Sequence, residues 1–265
     1  MKRFSFRYES SVTLSAPVTT HSWLLRALPR EEQFQHLEWE SLRVEAALPD
    51  GSTVEIPIST GTDAFGNRTQ FGCILQPHLS MTMTAEGVVA QSPYRISGTA
   101  HGMYSAPTAL TAMSEGMLAF LRGLKLDTSN HTADTAERIA SAVHGRMTYA
   151  PGSTSVSTTA AQAFASGRGV CQDYAHITLA LLREVGIPAR YVCGFLPGEG
   201  ESHAWVEYFD SGMWFALDPT HDRRVDFGCI KVAHGRDSAD CPVNRGLFTG
   251  RTGQRNFVSV KVEEQ

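Results

Sequence analysis

The alternation of apolar and polar residues differs between the two halves of the chain. Within residues 1–98, apolar and polar residues alternate in short stretches such as 4–8 and 42–46. This period of two is typical of strands that bury one face. Turn-forming residues at 49–51 and 65–67 separate the stretches, as expected between antiparallel strands. Residues 1–98 are therefore predicted to form a β-rich, sandwich-like domain.

Helical spacing dominates after residue 98. Apolar residues recur at steps of three and four through 109–124 and 135–147, and again from Cys171 to residue 184 or 185, where Gly186 ends the pattern. Three strands then follow, at 188–195, 203–209 and 213–218. The predicted fold class is α+β, with residues 99–265 forming a domain in which the helix that carries Cys171 packs on an antiparallel sheet.

Composition narrows the class of protein. The chain has 265 residues, 42% of them hydrophobic, which is enough for a buried core. Lys and Arg number 23 against 27 Asp and Glu, and no basic cluster is interleaved with aromatic residues, so nucleic acid is not an expected partner. The sequence shows neither a signal peptide nor the roughly 18 to 20 apolar residues of a membrane span. We expect a cytoplasmic protein that does not bind membranes.

The five cysteines are spread along the chain and do not form a recognisable motif. Their number is odd and no CxxC motif occurs, which argues against both a disulfide framework and a zinc knuckle. Free thiols are expected, and one of them, Cys171, is a candidate nucleophile. Cys171 falls in the first turn of its helix, where unpaired backbone N–H groups and the positive end of the helix dipole favour a thiolate. The same N–H groups, that of Cys171 first, could hold an oxyanion.

Strand pairing predicts a base and its partner. His203 opens one strand and Asp218 ends the next. A two-residue loop at 210–211 would set Asp218 directly opposite His203, and a loop at 211–212 would set it diagonally on the same face. A three-residue loop would send Asp218 to the other face. In either two-residue register, His203 could take the proton of Cys171 and Asp218 could orient it, giving a thioester that water or an amine resolves.

Several motifs together resemble the core of the transglutaminase-like superfamily, whose fold is similar to that of papain-type cysteine proteases. They are GRGVCQDYAH at 167–176, GIPARYV at 186–192, HAWVE at 203–207 and WFALDPT at 214–220. DAFGN at 63–67 and HGRD at 234–237, with Cys241, Pro242 and Gly246, resemble bacterial transglutaminase-like cysteine proteases. The resemblance covers nearly the whole chain, most firmly 149–246.

The resemblance implies a triad of Cys171, His203 and Asp218 and no organic cofactor. Calcium, which cross-linking animal members need, is not expected, because no acidic loop of the EF-hand kind occurs; no metal is predicted. Lesser candidates for substrate or oxyanion contacts are Tyr149, Gln172, Trp205 and Trp214. His176 and His221 are read as bystanders.

Three functions stay open at the level of sequence. The first is hydrolysis of an amide bond in a peptide or protein substrate, the second is amine transfer to protein glutamine, and the third is a non-catalytic binding module. The first two share the chemistry up to the thioester, so residues around the triad do not separate them. Oligomeric state is likewise open.

Overall fold

The computed structural model describes residues 1–127 and 131–265. Within them the elements are, in chain order, β1 (Lys2–Leu25), β2 (Gln35–Ala47), β3 (Thr53–Glu55), β4 (Ser59–Thr62), β5 (Arg68–Ile74), β6 (His78–Gln91), β7 (Ile96–Ser97), a 3₁₀ turn (Gly102–Tyr104), α1 (Glu115–Gly123), α2 (Thr132–Arg146), β8 (Thr148–Tyr149), α3 (Ala160–Ser166), β9 (Arg168–Gly169), α4 (Cys171–Glu184), β10 (Ala189–Phe195), β11 (Gly198–Gly200), β12 (His203–Asp210), β13 (Met213–Asp218), β14 (Arg223–Arg224), β15 (Ile230–Gly235), β16 (Asn244–Thr249) and β17 (Gln254–Glu264).

The first half of the chain is built around the long strand β1. Its alternating residues Phe4, Phe6 and Tyr8 are buried, as the period of two predicts. The first part of β1 pairs with β6 and β17, and the last part pairs with β5 and β16. Between these parts the register with β6 shifts, so one bent strand supports two sets of neighbours. The β-rich character predicted for this half is confirmed.

Strands from later in the chain complete this sheet. It runs in the order β11-β17-β1-β6-β2-β3, and β16 pairs with β1 beside this path. The β-rich unit therefore draws on residues 198–200 and 244–264 in addition to the first 98. The division of the chain into domains at residue 98 stays a prediction.

A second sheet carries the candidate site. Its order is β14-β13-β12-β10-β15, with β7 beside β13, and all its pairs are antiparallel. Helix α4 is buried from Asp173 to Arg183. It shares one hydrophobic core with the residues of β12 that alternate with His203, namely Ala204, Val206 and Tyr208. The predicted helix bearing Cys171 on an antiparallel sheet is confirmed.

Polar contacts fix the first sheet against the second. Asn67 accepts from the backbone N–H of His234 at 2.9 Å and donates to its carbonyl at 2.8 Å. Asp63, at the other end of the same turn, pairs with Arg26 at 2.9 Å. Because Asn67 and His234 are buried, leaving one of their polar groups unpaired would cost about 1–3 kcal/mol.

No helix in the described ranges is long and apolar enough to cross a membrane. The cytoplasmic location expected from the sequence stays a prediction.

Candidate active site

Cys171 is the first residue of α4, as the sequence pattern predicted. The chain reaches it through Gly167, which ends α3 in the left-handed conformation at φ 66°, a conformation that glycine adopts without strain. Asp173 accepts from the backbone N–H of Val170 at 2.8 Å and from the Thr154 hydroxyl at 2.6 Å. These bonds hold the start of the helix, whose dipole places partial positive charge at Cys171.

The β12–β13 hairpin has the diagonal register of the two that the sequence allowed. Asp210 pairs with Met213 and Val206 with Leu217, so the loop is Ser211-Gly212. Both loop residues have positive φ, 47° and 82°, which is the geometry of a type I′ turn. Asp218 therefore lies on the same face as His203, displaced by two residues along the neighbouring strand.

The two side chains meet across this diagonal. The Nε2 atom of His203 lies 3.1 Å from Oδ1 of Asp218, with side-chain exposures of 10% and 0%. This nitrogen does not meet the geometry of a hydrogen bond, so the contact is a close ion pair when His203 is protonated. Burial alone would lower the pKa of His203, but Asp218 and hydrogen bonding to Cys171 outweigh it and raise the pKa to about 9.

Asp218 is held as a carboxylate by several donors. Its Oδ1 accepts from the backbone N–H of Thr220 at 3.1 Å, and Arg223 lies 3.5 Å from Oδ2. Although burial would raise the pKa of Asp218, its bonds and charge interactions with His203 and then His221 lower it to about 2. The carboxylate thus stays ionised throughout the pH range in which His203 titrates.

His221 contacts Asp218 and so lies in this cluster, and its interpretation as a bystander in the reaction stays a prediction. Its Nδ1 lies 2.7 Å from Oδ2 of Asp218, and its ring centre is 5.1 Å from that of His203. Its side chain is 49% exposed. The spacing Asp-Pro-Thr-His at 218–221 was the available signal, since a turn after a strand can fold the fourth residue back onto the first.

His203, Asp218 and His221 are also the group in the described residues that could hold a metal ion, since their donor atoms lie within 4.8 Å of one another. Each Asp218 oxygen already faces a histidine nitrogen, and Arg223 adds positive charge beside them. This arrangement suits proton handling by a paired imidazole. The prediction that no metal is needed stays a prediction.

A cavity of about 1210 Å³ opens over the site. Cys171, His203 and His221 line it, together with Tyr8, Val258 and Val260 from the first sheet. The cavity therefore lies between the two sheets, and the first sheet supplies one of its walls. These three residues of β1 and β17 were missed from the sequence, because only the return of the C-terminal strands brings them near Cys171.

The lesser candidates divide into two groups. Tyr149 and Gln172 line the cavity; β8 pairs in parallel with β9 and so places Tyr149 beside Gly169. Trp205 and Trp214 are buried at 0% and 2% exposure and lie outside the lining. Trp205 stacks on His203 at 6.5 Å, whereas the Trp214 ring lies under Arg190 at 4.1 Å. Roles of these four residues in binding substrate stay predictions.

The chain is similar in sequence to a known protein family and to several bacterial proteins. Residues 121–219 match the family model of the transglutaminase-like superfamily. An uncharacterised protein of Mycobacterium leprae is 32% identical over 199 residues, which are 66% of this chain and 70% of that protein. A protein-glutamine gamma-glutamyltransferase of Pseudomonas aeruginosa is 31% identical over 105 residues, but these cover only 33% of this chain and 16% of that protein.

A solved structure has a similar fold over almost the whole chain. It is that of a suggested cysteine protease from Cytophaga hutchinsonii, with a TM-score of 0.71, 22% identity and coverage of 99% of this chain and 90% of that one. At this identity the likeness speaks for the fold. It extends over both sheets, including the part of the chain outside the matched family model.

Proposed function

The chain belongs to the transglutaminase-like superfamily, and we propose that it is a cysteine-dependent acyl-transfer enzyme that hydrolyses an amide bond in a peptide or protein. The observation that carries the proposal is the Asp218–His203 pair, which opens with Cys171 onto one cavity. Such a set of groups is the requirement for nucleophilic catalysis by a thiol.

The proposed reaction begins at the thiolate. A protonated His203 beside Cys171 favours the thiolate form of the thiol. The sulfur attacks the carbonyl carbon of the amide, and the N-terminal N–H groups of α4 stabilise the oxyanion that forms. His203 then gives its proton to the departing amine as the C–N bond breaks, which leaves a thioester on Cys171.

Water completes the cycle. His203, now neutral, takes a proton from the water as its oxygen attacks the thioester carbon. The C–S bond breaks, the carboxylic acid departs, and the proton on His203 restores the starting pair with the thiolate. Asp218 keeps the imidazole oriented and stabilises its charged form in both halves of the reaction.

Transfer to an amine is the second candidate. It has the same first half, and an amine replaces water as the acceptor. The local similarity to a protein-glutamine gamma-glutamyltransferase over 105 residues favours considering it. The two candidates differ in whether water or an amine attacks the thioester, so analysis of the products separates them.

One experiment tests both candidates. The protein and its Cys171→Ala variant are incubated with peptide pools and a labelled primary amine, and the products are sorted by mass. We expect products that only the wild type forms, with the mass of hydrolysed peptide. Amine adducts in excess over hydrolysis would replace the first candidate by the second. The absence of any Cys171-dependent product, with unchanged partner binding after alkylation of Cys171, would instead favour a non-catalytic binding module.

A further inference from the structure

The short strand β11 leaves one of its edges unpaired beside the cavity. It is the outermost strand of the first sheet and pairs with β17 from Gly198–Val262 to Gly200–Val260. Across the part of the chain that the structure describes, no other strand pairs with it. All three of its residues are exposed. An exposed edge of this kind offers backbone N–H and C=O groups to an extended chain.

This edge lies close to the reacting groups. Glu199 and Gly200 line the same cavity as Cys171 and His203. Gly200 precedes His203 by three residues, a span of at most about 10 Å. Two of the three residues of β11 are glycines, which have no side chain to keep an approaching backbone away. A peptide strand of six residues, about 20 Å long, would reach from this edge across the site.

The cavity also has a negative rim next to the edge. Glu199 lies in β11 and Glu201 follows in the bend after this strand, and both line the cavity. Lys261 lies 3.7 Å from Glu199 but contacts Glu263 more closely, at 3.0 Å. Glu201 has no ion pair with any residue in the described ranges.

Glu201 lies near enough to Tyr149 for its charge to affect the pKa of that side chain. The pKa of Tyr149 is raised by burial, by the charge of Cys171 and then by that of Glu201. Arg245 is the one Lys or Arg side chain that lines the cavity in the described residues. Lys261 partly offsets the charge of Glu199, so the negative charge that attracts cations at this part of the rim is mainly that of Glu201.

We propose that the substrate is an extended peptide whose main chain pairs with the free edge of β11 and which carries a Lys or Arg side chain facing Glu201. This inference rests on the proposed function and names its substrate class. Pairing of the main chain would hold the scissile carbonyl near Cys171 whatever the other side chains are. Glu201, supported by Glu199, would then select the position at which the basic residue lies.

The charge preference is tested with matched peptides that differ at one flanking position, occupied by Lys, norleucine or Glu. We expect the wild type to turn over the Lys peptide about tenfold faster in kcat/KM than the Glu peptide, because Glu201 attracts the ammonium group of the first and repels the carboxylate of the second. Glu201→Gln should reduce this ratio several-fold and Glu201→Lys should invert it. Salt should narrow it, since the rim is exposed.

A control variant separates this effect from the overall charge of the protein. Glu55→Gln removes the same charge from β3, at the opposite edge of the same sheet, and should leave the ratio unchanged. A ratio near one in the wild type, or equal changes in Glu201→Gln and Glu55→Gln, would overturn the assignment of Glu201.

Main-chain pairing is tested by methylating the peptide amides one at a time. In a paired strand alternate N–H groups point to the neighbour, so methylation at every second amide should reduce kcat/KM about tenfold or more, with little effect between. A uniform effect along the peptide would overturn the pairing with β11.

Binding to the Cys171→Ala variant separates this inference from the reaction. Fluorescence anisotropy of the labelled Lys and Glu peptides gives Kd without turnover. Binding that prefers Lys and depends on Glu201, without turnover by the wild type, would overturn the proposed reaction and retain the peptide site. Turnover without any preference in either assay would retain the reaction and overturn the site.

Discussion

Two buried carboxylates lie on the same face of the β12–β13 hairpin, and only one of them belongs to the candidate site. Asp218 and Glu207 both have 0% exposure. In each, burial alone would raise the pKa, but cationic partners lower it to about 2. A lowered pKa therefore does not distinguish the two. Their difference lies in the partners that surround them.

Glu207 is enclosed by partners that are themselves buried. Lys231 lies 2.8 Å from its Oε1 and also pairs with Glu32 at 3.0 Å. Arg190 pairs with Oε2, and the Tyr94 hydroxyl donates to Oε1. No member of this group lines the cavity, so no substrate reaches it. Its charges balance one another inside the protein, which is a structural arrangement.

Asp218 instead shares its charge with histidines that face the cavity. His203 and His221 both line it, and an imidazole can give a proton to a substrate and take one back during a reaction. The comparison teaches that a buried ion pair points to chemistry when one partner can titrate and reach a substrate.

Asp218→Asn should have the largest effect on catalysis. The amide keeps the shape of the carboxylate but removes the charge that stabilises protonated His203, so kcat/KM should fall by roughly 10²- to 10⁴-fold. Steady-state kinetics on a peptide found in the pool experiment measures this. An Asn variant within threefold of the wild type would show that Asp218 does not orient His203.

Glu207→Gln should act on stability more than on catalysis. It leaves Arg190 and Lys231 buried with fewer counter-charges, and breaking such a group costs about 3–5 kcal/mol. Urea unfolding followed by fluorescence measures the change in the free energy of unfolding. The kcat/KM of the folded protein should fall far less than in Asp218→Asn. Equal kinetic losses in the two variants would remove the distinction between the clusters.

The pH dependence of activity should report His203. A histidine whose pKa is raised to about 9 keeps its proton below that pH and loses it as the pH rises through about 9. The protonated form pairs with the thiolate, so kcat/KM should decline on the alkaline side near pH 9. Asp218→Asn removes the stabilising charge and should move this decline to lower pH. An unmoved decline would assign it to another group.

The stability of the fold depends on pH through the same groups. His203, whose pKa is raised on folding, contributes stability that is present below its unfolded value of about 6.5 and is lost as the pH rises through about 9. Asp218 and Glu207, whose pKa values are lowered, contribute stability that is present above about 4 and is lost as the pH falls through about 2.

Local patterns in the sequence predicted the parts of the site that depend on one helix or one hairpin. The start of α4 at Cys171 and the shared face of His203 and Asp218 follow from periods of 3.6 and 2. The periodicity did not decide between the two hairpin registers, because residues 210–211 and residues 211–212 both suit a two-residue turn. The helix predicted over 109–124 begins only at Glu115, where Ser114 accepts from the backbone N–H of Met117. Pro107 lies before it, in an irregular segment.

Local sequence patterns did not predict which distant strands pair with one another. Nothing in the periodicity of 198–200 or 254–264 indicates that these strands join β1, since pairing between distant segments depends on the whole fold. As a result the sequence did not reveal that β11 and β17 form a wall of the cavity. His221 was missed for a different reason: its contact with Asp218 is local, and the Asp-Pro signal predicts a turn without specifying which side chain folds back onto Asp218.

The smallest effect is expected at His221, and its direction is informative. His221→Phe keeps a ring at this position but removes the group that bonds Asp218 at 2.7 Å. Because the side chain is about half exposed, water can replace part of this bond, and kcat/KM should change by only about two- to fivefold. With fewer competing donors, Asp218 should hold the proton of His203 more firmly, so the alkaline decline should move to higher pH.

His221→Asn, which keeps an N–H donor, is the matched control and should shift it less. A move to lower pH, as in Asp218→Asn, would mean that His221 chiefly keeps Asp218 in place, and an unmoved decline in both variants would mean that it does not act on His203.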